Sequence, residues 1–96
     1  MKIYKYPVGF MPGDYKITAP IISVLGVFLD GGASPCLYAI VDPERKVNEE
    51  DDTIHVKVFW TGGEVDGLAM YYKYLNTLTI NGLVCHYFLH GNVIPL

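Results

Sequence analysis

Residues 71–89 read YYKYLNTLTINGLVCHYFL, two alternating runs that meet at Asn81-Gly82. Asn-Gly is the preferred dipeptide of a two-residue type I′ hairpin turn, because both of its positions need a positive φ. Such a turn fixes the register of the two strands that it joins. It predicts that Ile80 pairs with Leu83, Leu78 with Cys85 and Asn76 with Tyr87 on one face, and Thr79 with Val84, Thr77 with His86, Leu75 with Phe88 and Lys73 with His90 on the other.

The rest of the chain also has the pattern of short strands. Upstream of the hairpin, apolar or alternating runs occupy residues 2–6, 15–18, 21–29, 36–41 and 53–60. These runs are separated by Gly, Pro, Asn and Asp clusters that are typical of turns. The sequence therefore predicts an all-β fold, a small antiparallel sandwich or partly open barrel of six or seven strands that ends in the Asn-Gly hairpin.

Position within the sheets follows from the pattern of each run. We expect residues 2–6 and 15–18 to be edge strands, since both runs are short and prolines and glycines mark a loop between them. Residues 21–29 are apolar in both alternating sets, which predicts a central strand covered on both faces. The turn residues 30–35 predict a hairpin with a longer loop. Only residues 64–70 allow a helical turn, and nearby glycines weaken it.

Length and composition indicate one β domain over residues 1–96. The chain is 51% hydrophobic, which is enough for one core and too much for a disordered protein. Residues 44–52 are mostly charged, and we expect them to form a mobile loop whose carboxylates keep ordinary pKa values. Residues 91–96 form a C-terminal tail.

The charge balance and the hydropathy exclude two classes of partner. Seven basic residues stand against ten acidic ones, so the chain lacks the cationic surface that duplex nucleic acid requires. The longest apolar runs are about half the ~20 residues that a membrane-spanning helix needs, and the N-terminus is not that of a signal peptide. We therefore expect a cytosolic protein that binds neither a membrane nor duplex nucleic acid.

The sequence offers no catalytic or metal-binding motif. Its serines lie outside a nucleophile motif, and its glycine pairs lack the helix and the Lys-Ser/Thr of a phosphate-binding loop. His86 and His90 are four residues apart on one predicted strand, about 13 Å, too far to share an ion. His55 is expected to be solvated, and Cys36 and Cys85 to be small core residues. We predict a protein that is not an enzyme and holds no metal or other cofactor.

Aromatic residues are the most unusual part of the composition, with eight tyrosines, four phenylalanines and one tryptophan. Such residues complete small cores, but they also concentrate at protein interfaces and where flat ligands stack. The apolar surplus in so short a chain favours self-association. The predicted stacking or interface residues are Trp60, Tyr71, Tyr72 and Tyr74, and the predicted polar contacts are Lys57, Lys73 and His90.

A set of short motifs resembles a widespread family of small, mostly uncharacterised phage-encoded proteins. The resemblance covers most of the chain, and it depends on the order and spacing of the motifs. This sequence departs from the family pattern in the charged loop and the C-terminal tail. The motifs are MKIYKY at residues 1–6, ISV at 22–24, CLYAIVDP at 36–43, TGG at 61–63, YLNT at 74–77 and GLVCHYF at 82–88.

The resemblance implies a cytoplasmic protein of an infected bacterium with a role in counter-defence. The first expectation is a homo-oligomer that sequesters a nucleotide-derived immune signal on its aromatic residues. The alternatives are a protein inhibitor that docks on a host defence complex in the manner of an anti-CRISPR protein, an enzyme that degrades such a signal, and a minor virion protein. The family pattern supplies no catalytic residues.

Overall fold

The computed structural model describes residues 1–32, 34–93 and 95–96. All strand pairs are antiparallel, and a 3₁₀ turn at Ala69–Tyr71 precedes the C-terminal hairpin, at the end of the segment where the sequence allowed a helical turn. The all-β prediction is therefore confirmed. The strands are β1 (Lys2–Pro7), β2 (Gly13–Thr18), β3 (Ile21–Asp30), β4 (Ser34–Val41), β5 (Thr53–Trp60), β6 (Lys73–Ile80) and β7 (Leu83–His90).

The seven strands form two sheets. Sheet A has the order β1-β4-β3, and sheet B has the order β2-β5-β7-β6. The sheets face one another as a sandwich and do not close into a barrel. As predicted, β1 and β2 lie at sheet edges, and β3 and β4 form a hairpin in which Asp30 pairs with Ser34.

The core lies between the sheets and follows the alternation of the strands. In β5 the side chains of Ile54, Val56 and Val58 are buried, while the residues between them face outward. The phenol of Tyr87 is fully buried and donates a hydrogen bond to the carbonyl of Gly9, 3.0 Å away. The loop between β1 and β2 is thereby attached to the end of the core.

The Asn-Gly hairpin is confirmed at its turn. Asn81 has a φ of 51° and Gly82 a φ of 78°, the two positive values of a type I′ turn. The register agrees with the prediction from the turn as far as the Thr77/His86 and Asn76/Tyr87 pairs.

Beyond Asn76 the predicted register is wrong. A bulge at Leu75 inserts one residue into β6, so Tyr74 and not Leu75 pairs with Phe88, and Lys73 pairs with Leu89 and not with His90. His90 instead pairs with His55 of β5. The bulge turns Tyr74 to the outer face of sheet B.

The prediction that residues 21–29 form a central, doubly covered strand is also wrong. β3 is an edge strand of sheet A, because β4 takes the centre by pairing with both β1 and β3. Register shifts occur between Ile21 and Ser23 and between Val24 and Gly26, and they break the alternation. As a result Phe28, which the double coverage would have buried, is 47% exposed.

The charged loop at residues 44–52 contains one buried carboxylate. Asp52 is 8% exposed and accepts hydrogen bonds from the Asn48 backbone N–H at 2.8 Å and the Arg45 guanidinium at 2.9 Å. These hydrogen bonds, the backbone one foremost, hold the pKa of Asp52 below its ordinary value. The expectation of ordinary pKa values throughout the loop is therefore wrong for Asp52, while its mobility stays a prediction.

Cys36 and Cys85 are both buried free thiols, as predicted. Burial raises the pKa of both thiols, which disfavours the reactive thiolate. Within the described part of the chain, no helix is long and apolar enough to cross a membrane.

Candidate functional site

The outer face of sheet B gathers the histidines and many of the aromatic side chains. On β5 and β7 the outward positions alternate with core positions, because successive side chains of a strand point to opposite faces. All three histidines of the chain occupy outward positions. We call this surface the aromatic–histidine face; it comprises His55, Lys57, Phe59, Tyr72, Tyr74, His86, Phe88 and His90.

Three rings form a continuous series at one end of this face. The ring centroids of Tyr72 and His90 are 5.2 Å apart, and those of His90 and His55 are 6.0 Å apart. The rings are tilted by 45° and 37°, so they contact one another without stacking in parallel. His90 is exposed, which leaves this ring accessible to a flat ligand.

Two charged residues hold these rings in place. The Asp14 carboxylate lies 3.0 Å from Nδ1 of His55 and 3.2 Å from Nζ of Lys57. The Lys57 ammonium also lies over the Tyr72 ring, 5.5 Å from its centroid. Asp14 and Lys57 therefore connect β2, β5 and the segment before β6.

Asp66 fixes the other end of Tyr72. Its carboxylate accepts hydrogen bonds from the Leu68 backbone N–H and from the Tyr72 hydroxyl, each at 2.9 Å. The first of these bonds, followed by the second, lowers the pKa of Asp66, and the second raises the pKa of the Tyr72 phenol. Tyr72 therefore keeps its proton at neutral pH and presents a ring of fixed orientation.

A second aromatic series lies beside the first. Phe88 contacts Phe59 on one side and Tyr74 on the other in edge-to-face geometry, with ring centroids 5.7 Å and 5.5 Å apart. These rings occupy the centre of the face, across β5, β7 and β6.

His86 is held by two threonines. Its Nε2 lies 2.6 Å from Oγ1 of Thr61, and its Nδ1 lies 2.9 Å from Oγ1 of Thr77, which in turn hydrogen-bonds the Tyr74 hydroxyl. Both imidazole nitrogens are therefore engaged by neutral hydroxyl groups. This arrangement fixes the ring plane and presents a polar edge next to Phe88.

Comparison with known proteins assigns the chain to a family. A family described as a domain of unknown function, DUF7352, matches residues 1–94. The chain belongs to DUF7352. No curated protein and no solved structure matches it. The predicted resemblance to one family over most of the chain is thus confirmed, and the phage origin of that family stays a prediction.

Four of the seven predicted site residues meet on the aromatic–histidine face of this DUF7352 chain. Lys57, Tyr72 and His90 lie in one connected group, and Tyr74 joins the neighbouring series through Phe88.

The other three predicted residues lie elsewhere. Trp60 faces the core side of sheet B and donates a hydrogen bond from Nε1 to the Phe10 carbonyl, 2.7 Å away. Lys73 reaches the Val93 carbonyl at 3.4 Å. Tyr71 is 74% exposed in the 3₁₀ turn before β6.

Six residues of this site were missed by the sequence reasoning. They are Asp14, His55, Phe59, Asp66, His86 and Phe88. The alternation in residues 53–60 did place His55 and Lys57 on one outward face. What the sequence lacked was a signal that β5 pairs with β7 and β2 with β5, because neither pair is consecutive in the chain: β6 lies between β5 and β7, and β3 and β4 lie between β2 and β5. His55 is half-buried against Asp14 and is not freely solvated as expected.

Over residues 1–32, 34–93 and 95–96, no group of three or more His, Cys, Asp or Glu side chains is placed to hold a metal ion. His55 and His90 lie side by side, with the Tyr72 ring next to His90 and the Asp14 carboxylate on Nδ1 of His55. The face is suited to stacking and hydrogen bonding.

Proposed function

We propose that this protein binds a flat, phosphate-bearing ligand of the nucleotide class on its aromatic–histidine face and sequesters it unchanged as a homo-oligomer. The observation that carries the proposal is the ring series Tyr72, His90 and His55, with the Lys57 ammonium beside it. A base or nicotinamide-like ring would stack on exposed aromatic surface, as bases do on sheet platforms that bind single-stranded nucleic acid.

The polar groups of the face support an anionic ligand. Lys57 supplies a positive charge, and the imidazoles of His55 and His90 supply N–H donors. Asp14 pairs with Lys57 and His55 and so offsets part of this positive charge. The face is therefore suited to one or two phosphates next to a ring, and it does not offer the long cationic track that a duplex needs.

Sequestration is favoured over cleavage by the environment of the histidines. His86 has both ring nitrogens engaged by threonine hydroxyls, and Nδ1 of His55 is engaged by Asp14. Neither histidine stands next to a strong nucleophile with a preformed group of oxyanion donors. A signal-degrading enzyme would release a ligand of altered mass, so the same experiment separates the two functions.

The biological part of the proposal rests on the resemblance. We propose that the protein is phage-encoded and acts in the cytoplasm of an infected bacterium, where it removes a nucleotide-derived immune signal. Expressing it in bacteria that carry a nucleotide-signalling defence system should restore plating of a phage that the system blocks. A variant that no longer binds the ligand should fail to restore plating.

The test of binding is native mass spectrometry followed by calorimetry. Protein purified from bacteria is expected to carry a nucleotide-sized mass that is released intact on denaturation. Titration with cyclic dinucleotides and ADP-ribose derivatives should identify the class. Tyr72→Ala should weaken binding at least tenfold, because it removes one ring of the series. Tyr71→Ala, the adjacent exposed tyrosine, is the matched control and should bind normally. Absence of any retained mass together with no heat from this panel contradicts the proposal.

The apolar outer face of sheet A favours a second candidate function, a protein inhibitor that docks on a host defence complex. Ile3 is 62% exposed and pairs with Ile40, and Phe28 packs edge to face on Tyr38 with 47% of its own surface exposed. Exposed apolar patches on a small domain mark interaction sites. In this case Phe28→Asp should abolish co-purification of the host protein and leave ligand binding by Tyr72 unchanged.

A further inference from the structure

We infer that the exposed edge of β2 pairs antiparallel with β2 of a second copy, centred on Tyr15, and joins the two aromatic–histidine faces into one surface. This inference rests on the proposed function because that function includes a homo-oligomer. The inference adds which surface forms the contact between the copies. The other three sheet edges are less suited to pairing.

Two of those edges are blocked. On the free edge of β3, the Asn76 side chain occupies the backbone groups of Val27, and Leu96 donates a hydrogen bond to the Val24 carbonyl. The bulge at Leu75 interrupts β6. Bulges and covered backbone groups are devices that prevent edge-to-edge association.

The third edge, β1, is opposed by its charge. It reads KIYKYP, so lysines at positions 2 and 5 lie on the edge strand. Edge lysines discourage pairing with another strand. The β1 segment itself carries no acidic residue to pair with a lysine of a second copy, and its Lys5 is already paired with Asp30 of β3. Among the edges that the described residues form, β2 is left open.

The alternation of hydrogen bonds along β2 leaves backbone groups on its free edge for a partner strand. Ala19 donates a backbone hydrogen bond to the Asp52 carbonyl, so the pair that continues the β2–β5 ladder is a hydrogen-bonded one. Because bonded and non-bonded pairs alternate in an antiparallel ladder, the N–H and C=O groups of Asp14, Lys16 and Thr18 point to the free edge.

The charges of β2 are self-complementary. Asp14 and Lys16 flank Tyr15, so antiparallel pairing about Tyr15 sets Asp14 opposite Lys16 of the second copy, and Lys16 opposite Asp14. Both pairs are the ones whose backbone groups face the partner. Among the described residues Lys16 makes no ion pair within its own chain. Pro12 and Pro20 bracket the strand and limit the junction to its six residues.

The dimer changes the binding face. Sheet B would continue into its copy as eight strands, with both aromatic–histidine faces on the same side. Lys16 of the second copy would lie beside Asp14 and His55, and so add a positive charge to the site. A ligand with two ring systems, such as a dinucleotide, could then contact both halves.

Charge reversal tests the junction directly. Lys16→Asp puts like charges opposite one another at both pairs, and the dimer dissociation constant should rise at least about tenfold. The double variant Asp14→Lys/Lys16→Asp restores opposite charges and should restore the dimer. Lys2→Asp, a reversal on the edge strand β1, is the matched control and should leave association unchanged. Sedimentation velocity over a concentration series measures each constant.

The outcomes separate this inference from the proposed function. A wild-type protein that stays monomeric at about 100 µM overturns the inference. A dimer that Lys16→Asp leaves intact also overturns it. Ligand binding by Tyr72 is measured separately, so a monomer that still binds a nucleotide contradicts the junction alone, and a dimer that binds none contradicts the proposed function alone.

Discussion

Asn76 of β6 and Val27 of β3 are joined by two hydrogen bonds that cross from one sheet to the other. The Val27 N–H donates to Oδ1 of Asn76 at 2.9 Å, and Nδ2 of Asn76 donates to the Val27 carbonyl at 2.6 Å. The side-chain amide thus takes the place of a neighbouring strand at the edge of β3. Gly26 allows this approach, since a Cβ there would lie 3.3 Å from Oδ1 and 3.1 Å from the Phe28 ring.

Replacing this amide is expected to destabilise the sandwich. Asn76→Ala leaves the N–H and C=O of Val27, both part-buried, without their partner. We expect a loss of about 2 kcal/mol in the free energy of unfolding, because an unsatisfied buried backbone group costs about 1–3 kcal/mol. Urea unfolding followed by tryptophan fluorescence measures the change.

The control for this variant is Asn92→Ala, the same substitution at an exposed position of the C-terminal segment. It should change the unfolding free energy by less than about 0.5 kcal/mol. Equal midpoints for the two variants would show that the link between Asn76 and Val27 contributes nothing to stability.

The hairpin turn gives a second prediction. Gly82 has a φ of 78°, a conformation that residues with a Cβ adopt at a cost. Gly82→Ala should lower the free energy of unfolding by about 1 kcal/mol. Gly67→Ala is the matched control, because a Cβ at Gly67 meets open space and its backbone has no positive φ. It should be neutral or slightly stabilising, and an equal loss in both variants would contradict the turn argument.

The hairpin and the edge of β3 show where sequence reasoning works and where it fails. The Asn81-Gly82 turn is a local signal, and it fixed the register for the residues nearest to it. The turn does not predict the bulge at Leu75, because Leu75 fits the alternating pattern whether or not the register between β6 and β7 shifts there. Likewise the apolar run of β3 is the same for a central strand as for an edge strand whose backbone is covered by Asn76.

The candidate site depended on contacts that no local pattern contains. Tyr72, Lys57 and His90 were predicted as separate candidates, and only the pairing of β5 with β7 brings the last two together. Trp60 was predicted by its residue type, yet alternation alone placed it on the core face with Val58. Residue type indicated stacking, and the long-range strand order decided which residues meet.

The buried phenol of Tyr87 gives a prediction in alkaline solution. Burial holds the pKa of Tyr87 well above its ordinary value of 10.0. The neutral phenol is therefore favoured in the folded state, and its contribution to stability is complete below pH 10 and is lost as the pH rises further, because the unfolded chain ionises first. Tyr87→Phe also removes the hydrogen bond to Gly9 and should cost about 1 kcal/mol at pH 8.

A pH series distinguishes the two effects of Tyr87→Phe, the loss of the hydrogen bond to Gly9 and the loss of a buried group that ionises. The difference in unfolding free energy between wild type and Tyr87→Phe should shrink as the pH rises above 10, measured by urea unfolding at each pH. The comparison for Tyr71→Phe, at an exposed phenol, should show no difference that shrinks in this way. A gap between wild type and Tyr87→Phe that stays constant up to pH 11 would contradict the prediction.

The carboxylate of Asp52 gives the opposite pH dependence. Hydrogen bonds from the Asn48 backbone and from Arg45 lower its pKa below the ordinary 3.8, so the stabilisation is present above that value and is lost as the pH falls through the lowered pKa. Both partners are donors, and an amide accepts at only one of its two ends. Asp52→Asn should therefore be less stable at pH 7, and its difference from wild type should diminish below about pH 4. The measurement is urea unfolding from pH 7 to pH 2.5. Asp51→Asn, at the exposed neighbouring carboxylate, is the control and should match wild type throughout. If the unfolding free energies of Asp52→Asn and wild type follow parallel curves over this range, the ionised Asp52 does not hold this loop.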